Sequence, residues 1–440
     1  MLIEAATPGH GGWADLDAAV AIPVNNEAEL IADCLLALAG QRPGPYRFGV
    51  ALLLNNCTDA TADIVRAIAR TLPLPLATAE YHLLPPDAHA GNARRLAMDM
   101  AVGLLGGRGA ILTTDADGRA DPEWVAANLA GIEAGAHLVA GHVRADRQEH
   151  ALLPPAVIAR GRLEARYDWL LTEIDARLDP LAHDPWPRHR MASGGSLALP
   201  VSIYARIGGL PPLPVGEDRA LADVVRRQGG LVRHSLAARV TVSCRLDGRA
   251  QGGMATTIRR RAEQPDLVCD EALEPVRIAM LRARRRAALR LLHRLGQPEL
   301  CRAWAARLGL AEPAPARVAG AGLFDEAWAI VEAEDPALTR IPLTPSELPH
   351  QIAAARLVVA RLRAQARFAA ASLQHVDAVA VAPRPVNDPA EPVGEGDEAL
   401  RGGVAAERVV GLADPMHQHD VTGRIEHPLG ERGHAIEILG

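Results

Sequence analysis

Between Ala19 and about Arg144 the apolar positions change period repeatedly. AVAIPV (19–24) and GVALLLNN (49–56) are nearly unbroken apolar runs, whereas the segments between such runs repeat apolar residues every three to four positions. An unbroken run suits a strand covered on both faces, and the longer period suits a helix. The alternation therefore predicts a parallel α/β sheet. Strands are expected at 19–24, 49–56, 78–83, 110–114 and 137–143, and helices at 28–39, 61–71, 89–105 and 121–134, the last with Asp121 as its cap.

Past residue 144 the alternation stops. Residues 154–178 read as a helix, 185–215 as Gly- and Pro-rich loops around one short strand, 218–228 as a helix, and Leu231–Arg245 as a hairpin or strand pair. From about Glu271 to Leu373 the pattern is helical, with Pro-containing breaks near 312–315 and 342–349. After Asp377 the composition turns to Pro, Gly and acids, which predicts a disordered tail. No internal repeat is visible.

Composition sharpens the functional reading. All 47 basic residues are arginine. That removes the phosphate-loop lysine, the kinase strand lysine and the pyridoxal-phosphate Schiff base, each of which needs a primary amine. The cysteines Cys34, Cys57, Cys244, Cys269 and Cys301 are scattered, without a C-x-x-C pair, so neither a disulfide framework nor a zinc knuckle is indicated. The segment 378–440 carries eleven acids against five arginines, which accounts for the whole net charge of −6 and leaves a neutral body. Nucleic acid is not the expected partner. No apolar run approaches the roughly 20 residues of a membrane span, and MLIEAATPGHGG lacks the basic and apolar regions of a signal peptide, so a cytoplasmic protein is expected.

Ligands of open α/β sheets bind beyond the carboxyl ends of the strands. Three expected strands end there in polar residues: Pro23-Val24-Asn25-Asn26-Glu27, Asn55-Asn56-Cys57-Thr58-Asp59-Ala60-Thr61 and Thr113-Thr114-Asp115-Ala116-Asp117-Gly118. Asp115 and Asp117 form a D-x-D turn whose carboxylates can share a divalent metal with oxygen ligands, though such a pair also serves as a turn or a helix cap. Asp59 is equally placed to cap the following helix.

The ordered blocks PVNNEAELIADCLLALAGQ, NNCTDATADIVRAIA, AGNARRLAMDMA, TTDADGRADPEWV and VGEDRALADVVRRQGG resemble the family 2 glycosyltransferases of GT-A fold, over roughly residues 18–262. SGGSLALPVSIYARIGG (193–209) resembles the stretch before the family's Glu-Asp motif, which brings Gly194 and Gly195 to the donor sugar. The resemblance implies a Rossmann-like, mostly parallel sheet flanked by helices in 1–265, followed by a helical domain at 266–377 and an acidic tail at 378–440.

It also implies roles. Asp117 is the metal ligand, for Mn²⁺ or Mg²⁺, with Asp115 supporting the ribose or the metal's waters. Asp218 is the base that activates the acceptor, and Glu217 beside it raises its pKa by like-charge repulsion; the plainer alternative makes Asp218 a helix cap. Pro23, Asn25 and Glu27 match the first nucleotide motif. Asn55 replaces the acid often found at the second strand end, which leaves uridine specificity open. Arg94 matches a basic residue near the nucleotide and suits phosphate, with a solvated surface arginine as the other reading.

The expected activity is metal-dependent, inverting transfer of one sugar from a nucleotide-sugar donor to an acceptor hydroxyl on a saccharide, a small molecule or a lipid-linked chain. The Gln-x-x-Arg-Trp motif of processive synthases is absent. Retaining transfer, and a degenerate domain that binds nucleotide without turnover, are the alternatives. A nucleotidyltransferase would need a Gly-rich, Arg-containing loop where PVNNEAEL stands. Residues 276–295 carry seven arginines and an apolar stripe, so they either pack within their own domain or meet an anionic membrane. Met416-His417-Gln418-His419 lacks further ligands at fixed spacing to make a metal site.

Overall fold

A computed structural model describes residues 3–6, 12–246, 248 and 252–380. The acidic segment from 381 onward, with the histidine cluster at 417–419, lies outside the described residues. The chain begins β1 (Ile3–Ala6), β2 (Ala18–Val24), α1 (Ile31–Ala39), β3 (Phe48–Asn55), α2 (Thr61–Ala69), β4 (Leu76–Tyr81), α3 (Ala90–Leu104) and β5 (Ala110–Thr113). It continues β6 (Arg119–Ala120), α4 (Trp124–Glu133), β7 (Leu138–Ala145), α5 (Arg147–Ala151), α6 (Pro155–Leu178), β8 (Leu197–Pro200), α7 (Val201–Arg206), α8 (Glu217–Arg227) and β9 (Val232–Val242). Helices α9 (Met254–Glu263), α10 (Val276–Arg294), α11 (Pro298–Arg307), α12 (Ala314–Gly320), α13 (Phe324–Glu334) and α14 (Leu348–Ala380) complete it.

The strands form one nine-stranded sheet in the order β1-β4-β3-β2-β5-β8-β7-β9-β6. Strands β4, β3, β2 and β5 are mutually parallel, with Val20 opposite both Val50 and Leu112. β8 runs against both β5 and β7, so β7 and its parallel partner β9 regain the direction of β2. All the parallel strands thus end on one edge. The order reverses between β2 and β5, and ligands of open α/β sheets bind beyond strand ends at such a reversal.

Alternation along the strands supplies a core on each face. Val20, Ile22, Val50 and Leu52 join Ile31, Leu35 and Trp124 on one side. Ala19, Ala21, Ala51 and Leu53 meet Ala97, Met98 and Leu221 on the other, where the small strand residues admit α3 close to the sheet.

Two sequence expectations change. Leu231–Arg245 is not a hairpin but the single strand β9, bonded to β7 along its length and to β6 at its end. Residues 236–238 bulge out, with the Ser235 hydroxyl accepting from the amides of Ala237 and Ala238 at 3.3 Å, and this local turn imitates a hairpin signal. Asp121 does not cap α4, which starts three residues later; its carboxylate binds Arg144 on β7 at 2.9 Å and Arg239 on β9 at 2.8 Å.

The helical region shares a core with the α/β part. Tyr167, Leu171 and Ile174 of α6 pack with Leu273, Val276, Leu348 and Ile352. The membrane reading of 276–295 gives way here, because four of the seven arginines are taken up internally. Arg282 binds Glu274 at 2.7 Å and Glu332 at 2.6 Å, Arg285 pairs with Asp335, Arg286 spans Asp175 and Asp179, and Arg290 binds Asp179 while lying 3.9 Å over the Phe324 ring. Among the described residues no helix is long and apolar enough to cross a membrane.

Candidate active site

The chain leaves β2 and β3 through asparagines in the left-handed region, Asn26 at φ 51° and Asn56 at φ 52°, a conformation asparagine tolerates better than most residues. Each ties its loop down. Asn26 Oδ1 accepts from the Thr58 amide at 2.7 Å, and Asn56 Nδ2 donates to the Leu83 carbonyl at 2.9 Å. Asn25 Nδ2 donates to the Asn55 carbonyl at 2.8 Å, so these two predicted nucleotide residues are locked together, with Asn55 buried. Asp59 accepts from the Thr61 amide at 3.0 Å at the start of α2, and the Thr61 hydroxyl in turn accepts from the Glu27 amide at 2.9 Å. Asp59 thus sets the backbone of Glu27 from the second shell of contacts. Pro23 lies inside β2, one residue before its end.

Arg94, from the first turns of α3, sits at the centre. It is 5% exposed, which excludes a solvated surface role. Its Nε donates to Glu217 at 3.2 Å, Nη1 donates to the Thr113 hydroxyl at 3.1 Å and the Gly194 carbonyl at 2.9 Å, and Nη2 donates to Asp115 at 2.5 Å. One guanidinium therefore joins β5, α8 and the glycine turn. Burial opposes its charge, yet Asp115 and Glu217 more than compensate and raise its pKa. Two glycines make this approach feasible. A Cβ on Gly194 would lie 2.5 Å from the Arg94 guanidinium carbon, and one on Gly91 would lie 1.9 Å from the Leu213 carbonyl, pushing α3 off the segment that leads into α8.

Helix α8 opens after Gly216, whose φ of 78° marks the turn into it, so Asp218 is the second helical residue and not the cap. Asp218 Oδ2 accepts from the Gly194 amide at 2.9 Å and Oδ1 from the Arg219 amide at 2.7 Å. Glu217 faces Arg94, not Asp218 alone; burial first, then Asp218, pushes its pKa up while Arg94 pulls it down. The expected simple repulsion between the two acids is therefore damped by a shared arginine. Gly195 brings backbone against Asp115, for a Cβ there would lie 3.2 Å from Oδ2.

Asp117 stands two residues beyond Asp115, half-buried, and burial together with Asp115 and Glu27 pushes its carboxyl up to about 7, with Arg245 acting in the opposite sense. Glu27 is 6% exposed, paired through Oε1 with Arg245, and its Oε2 has no partner among the described residues. Five carboxylates, those of Glu27, Asp115, Asp117, Glu217 and Asp218, thus meet two guanidinium groups, those of Arg94 and Arg245. Such an excess of buried negative charge suits a cation. No group of three or more His, Cys, Asp or Glu side chains forms a ready metal cage among the described residues.

Arg245 is the member that sequence reasoning missed. It lies three residues beyond β9, whose apolar run VTV gives way to Ser243-Cys244-Arg245. The same strand-then-polar signal marked the other site segments, but only the sheet topology shows that β9 ends on their edge.

This α/β sheet with acids gathered at its strand ends can be set beside known proteins. Residues 19–190 match the model for glycosyl transferase family 2. No curated protein matches the chain. Among solved structures, TarS 1–349 from S. aureus in complex with UDP-GlcNAc is 15% identical, with a TM-score of 0.39 over 72% of this chain and 91% of that one. The chain spans 43% of the longer TarS structure. The mannosyltransferase PcManGT from Pyrobaculum calidifontis, in complex with GDP-Man and Mn²⁺, is 18% identical, with a TM-score of 0.38 over 78% of this chain and 86% of that one. Glucosyl-3-phosphoglycerate synthase from Mycobacterium tuberculosis, in complex with Mg²⁺ and UDP, is also 18% identical, with a TM-score of 0.32 over 57% of this chain and 79% of that one.

Proposed function

We propose that this protein transfers a single sugar from a nucleotide-diphosphate donor to an acceptor hydroxyl, with inversion at the anomeric carbon and dependence on a divalent cation. The observation that carries the reading is the convergence of Asp115, Glu217 and Asp218 about Arg94, with Asp117 beside Asp115 and Glu27, beyond the ends of β2 and β5. Asp115 and Asp117 would hold Mn²⁺ or Mg²⁺, completed by the donor's own phosphates, as is usual for small divalent ions. When bound, that ion supplies Lewis-acid stabilisation of the departing diphosphate.

The chain's own residues divide the remaining work. Asn25 and the loops held by Asn26 and Asn56 form the nucleoside side of the crevice. Arg94 holds Asp115 and Glu217 in register through its two ion pairs. The Gly194–Gly195 turn, tied to Arg94 and Asp218, is assigned to the donor sugar. Asp218, fixed by two amides, keeps lone-pair capacity to take the acceptor's proton as the hydroxyl attacks.

The test is a thermal-shift screen of UDP, GDP and ADP with Mn²⁺, Mg²⁺ or EDTA. A metal-dependent rise in melting temperature with one diphosphate is expected, and Asp117→Ala should abolish the metal dependence without unfolding the protein. Binding by Asp117→Ala with unchanged metal dependence would refute the metal assignment. Retention of the donor's anomeric configuration in the product would replace inversion by the retaining mechanism.

A further inference from the structure

Phosphate recognition in this crevice requires a guanidinium with unused donors, and the two arginines differ sharply in that respect. Four of the five N–H groups of Arg94 already donate to protein acceptors. Arg245 pairs with Glu27 through Nη2, while its Nη1 is buried with no hydrogen-bond partner among the described residues. A buried donor left unpaired costs stability, so a site that keeps one is prepared for an acceptor that arrives from outside.

The backbone under Arg245 is firmly held. Glu149 Oε2 accepts from the Ser243 hydroxyl at 2.6 Å and from the Cys244 amide at 2.8 Å, and Cys244 is buried. Strand β9 is parallel to β7 and ends on the same edge as β2 and β5, which delivers Arg245 to Glu27 and into the field of Asp117 from the far side of the sheet. The side chain as a whole is about one-fifth exposed while Nη1 is buried, so the guanidinium is shielded enough for its charge to act strongly.

We propose that Arg245 is the guanidinium that binds the donor's diphosphate, with Nη1 donating to phosphate oxygen while Nη2 stays on Glu27. This rests on the nucleotide-sugar reading above and assigns to Arg245 the phosphate contact that the sequence placed on Arg94. Glu27 is then a positioning residue that aims the guanidinium, and the extra negative charge that develops on the leaving diphosphate strengthens the contact.

The experiment is calorimetric titration of the full chain with UDP and GDP in Mn²⁺, and with uridine and guanosine, for the wild type, Arg245→Gln and Arg245→Lys. The wild type is expected to bind one diphosphate far more tightly than its nucleoside. Arg245→Gln should weaken the diphosphate by about tenfold to a hundredfold and leave the nucleoside unchanged, with Arg245→Lys intermediate because it keeps the charge but not the fork. Equal loss for diphosphate and nucleoside would mean that Arg245 only supports the fold around Glu27, and wild-type diphosphate affinity in Arg245→Gln would likewise overturn the proposal. Should Arg245→Gln not fold, the lysine variant alone decides, through the same ratio of diphosphate to nucleoside affinity. Failure of the wild type to bind any diphosphate would instead reject the nucleotide-sugar reading itself, and this proposal with it.

Discussion

Arg94 shows how one side chain can serve fold and chemistry together. It pairs with two acids from elements far apart in sequence, the buried Glu217 and the partly exposed Asp115. Removing one partner of such a buried set leaves charges that neither solvent nor protein compensates. Arg94→Gln should therefore cost about 3–5 kcal/mol of unfolding free energy, measured by urea denaturation, and a loss below 1 kcal/mol would mean that the pairs contribute little. Asp218→Asn is the complementary variant. It keeps the side chain's size and an acceptor oxygen but removes the basicity, so donor affinity should stay near wild type while turnover falls about 10²-fold or more. Near-normal turnover would exclude Asp218 as the base.

At the scale of elements, the loop between α6 and β8 meets strands β7 and β9 through buried ionisable side chains. His234 Nδ1 lies 2.7 Å from Asp184, and the His189 ring stands between those of His142 and His234, 5.5 Å and 5.4 Å away. Burial, followed by the neighbouring imidazoles His234 and His142, holds the His189 pKa well below the ordinary 6.5, and burial also lowers that of His234 against the pull of Asp184. A histidine with a depressed folded pKa stabilises the protein above the unfolded value and loses that contribution as pH falls below it. Stability should therefore decline from about pH 6.5 downward, by up to about 1.4 kcal/mol per pH unit for each such imidazole. His189→Gln should flatten the slope of melting temperature between pH 7 and pH 5, where exposed carboxylates still contribute little. An unchanged slope would show that His189 takes up its proton without cost.

For the whole molecule, the consequence of the shared core is that the α/β part cannot be separated at residue 265 without loss. Such a cut would strip Leu273, Val276, Leu348 and Ile352 from Tyr167, Leu171 and Ile174, and it would leave Asp175 and Asp179 without Arg286 and Arg290. Residues 1–265 alone should aggregate or melt far below the full chain, whereas a chain ended at residue 380 should melt close to it, as followed by circular dichroism. A fully stable 1–265 fragment would make the helical region an independent module.

Most of the α/β alternation was legible in the sequence because it is a local property. The runs at 19–24 and 49–56 are apolar on both faces, and such runs have few alternatives to a central parallel strand. The D-x-D turn, the two asparagine loops and the Glu217–Asp218 pair were likewise readable, since each sits where a change of period places a strand end or a helix start. What the sequence could not determine was which charges meet. Arg94 read either as a phosphate ligand or as a solvated arginine until the fold buried it between Asp115 and Glu217, and the arginines of α10 read as a basic face until Asp175, Asp179, Glu274 and Asp335 were brought against them. Arg245 and Glu27 are 218 residues apart and become neighbours only because β9 enters the sheet parallel to β7. Local pattern records how each segment meets water, whereas pairing between distant charges depends on topology and register, which no single segment encodes.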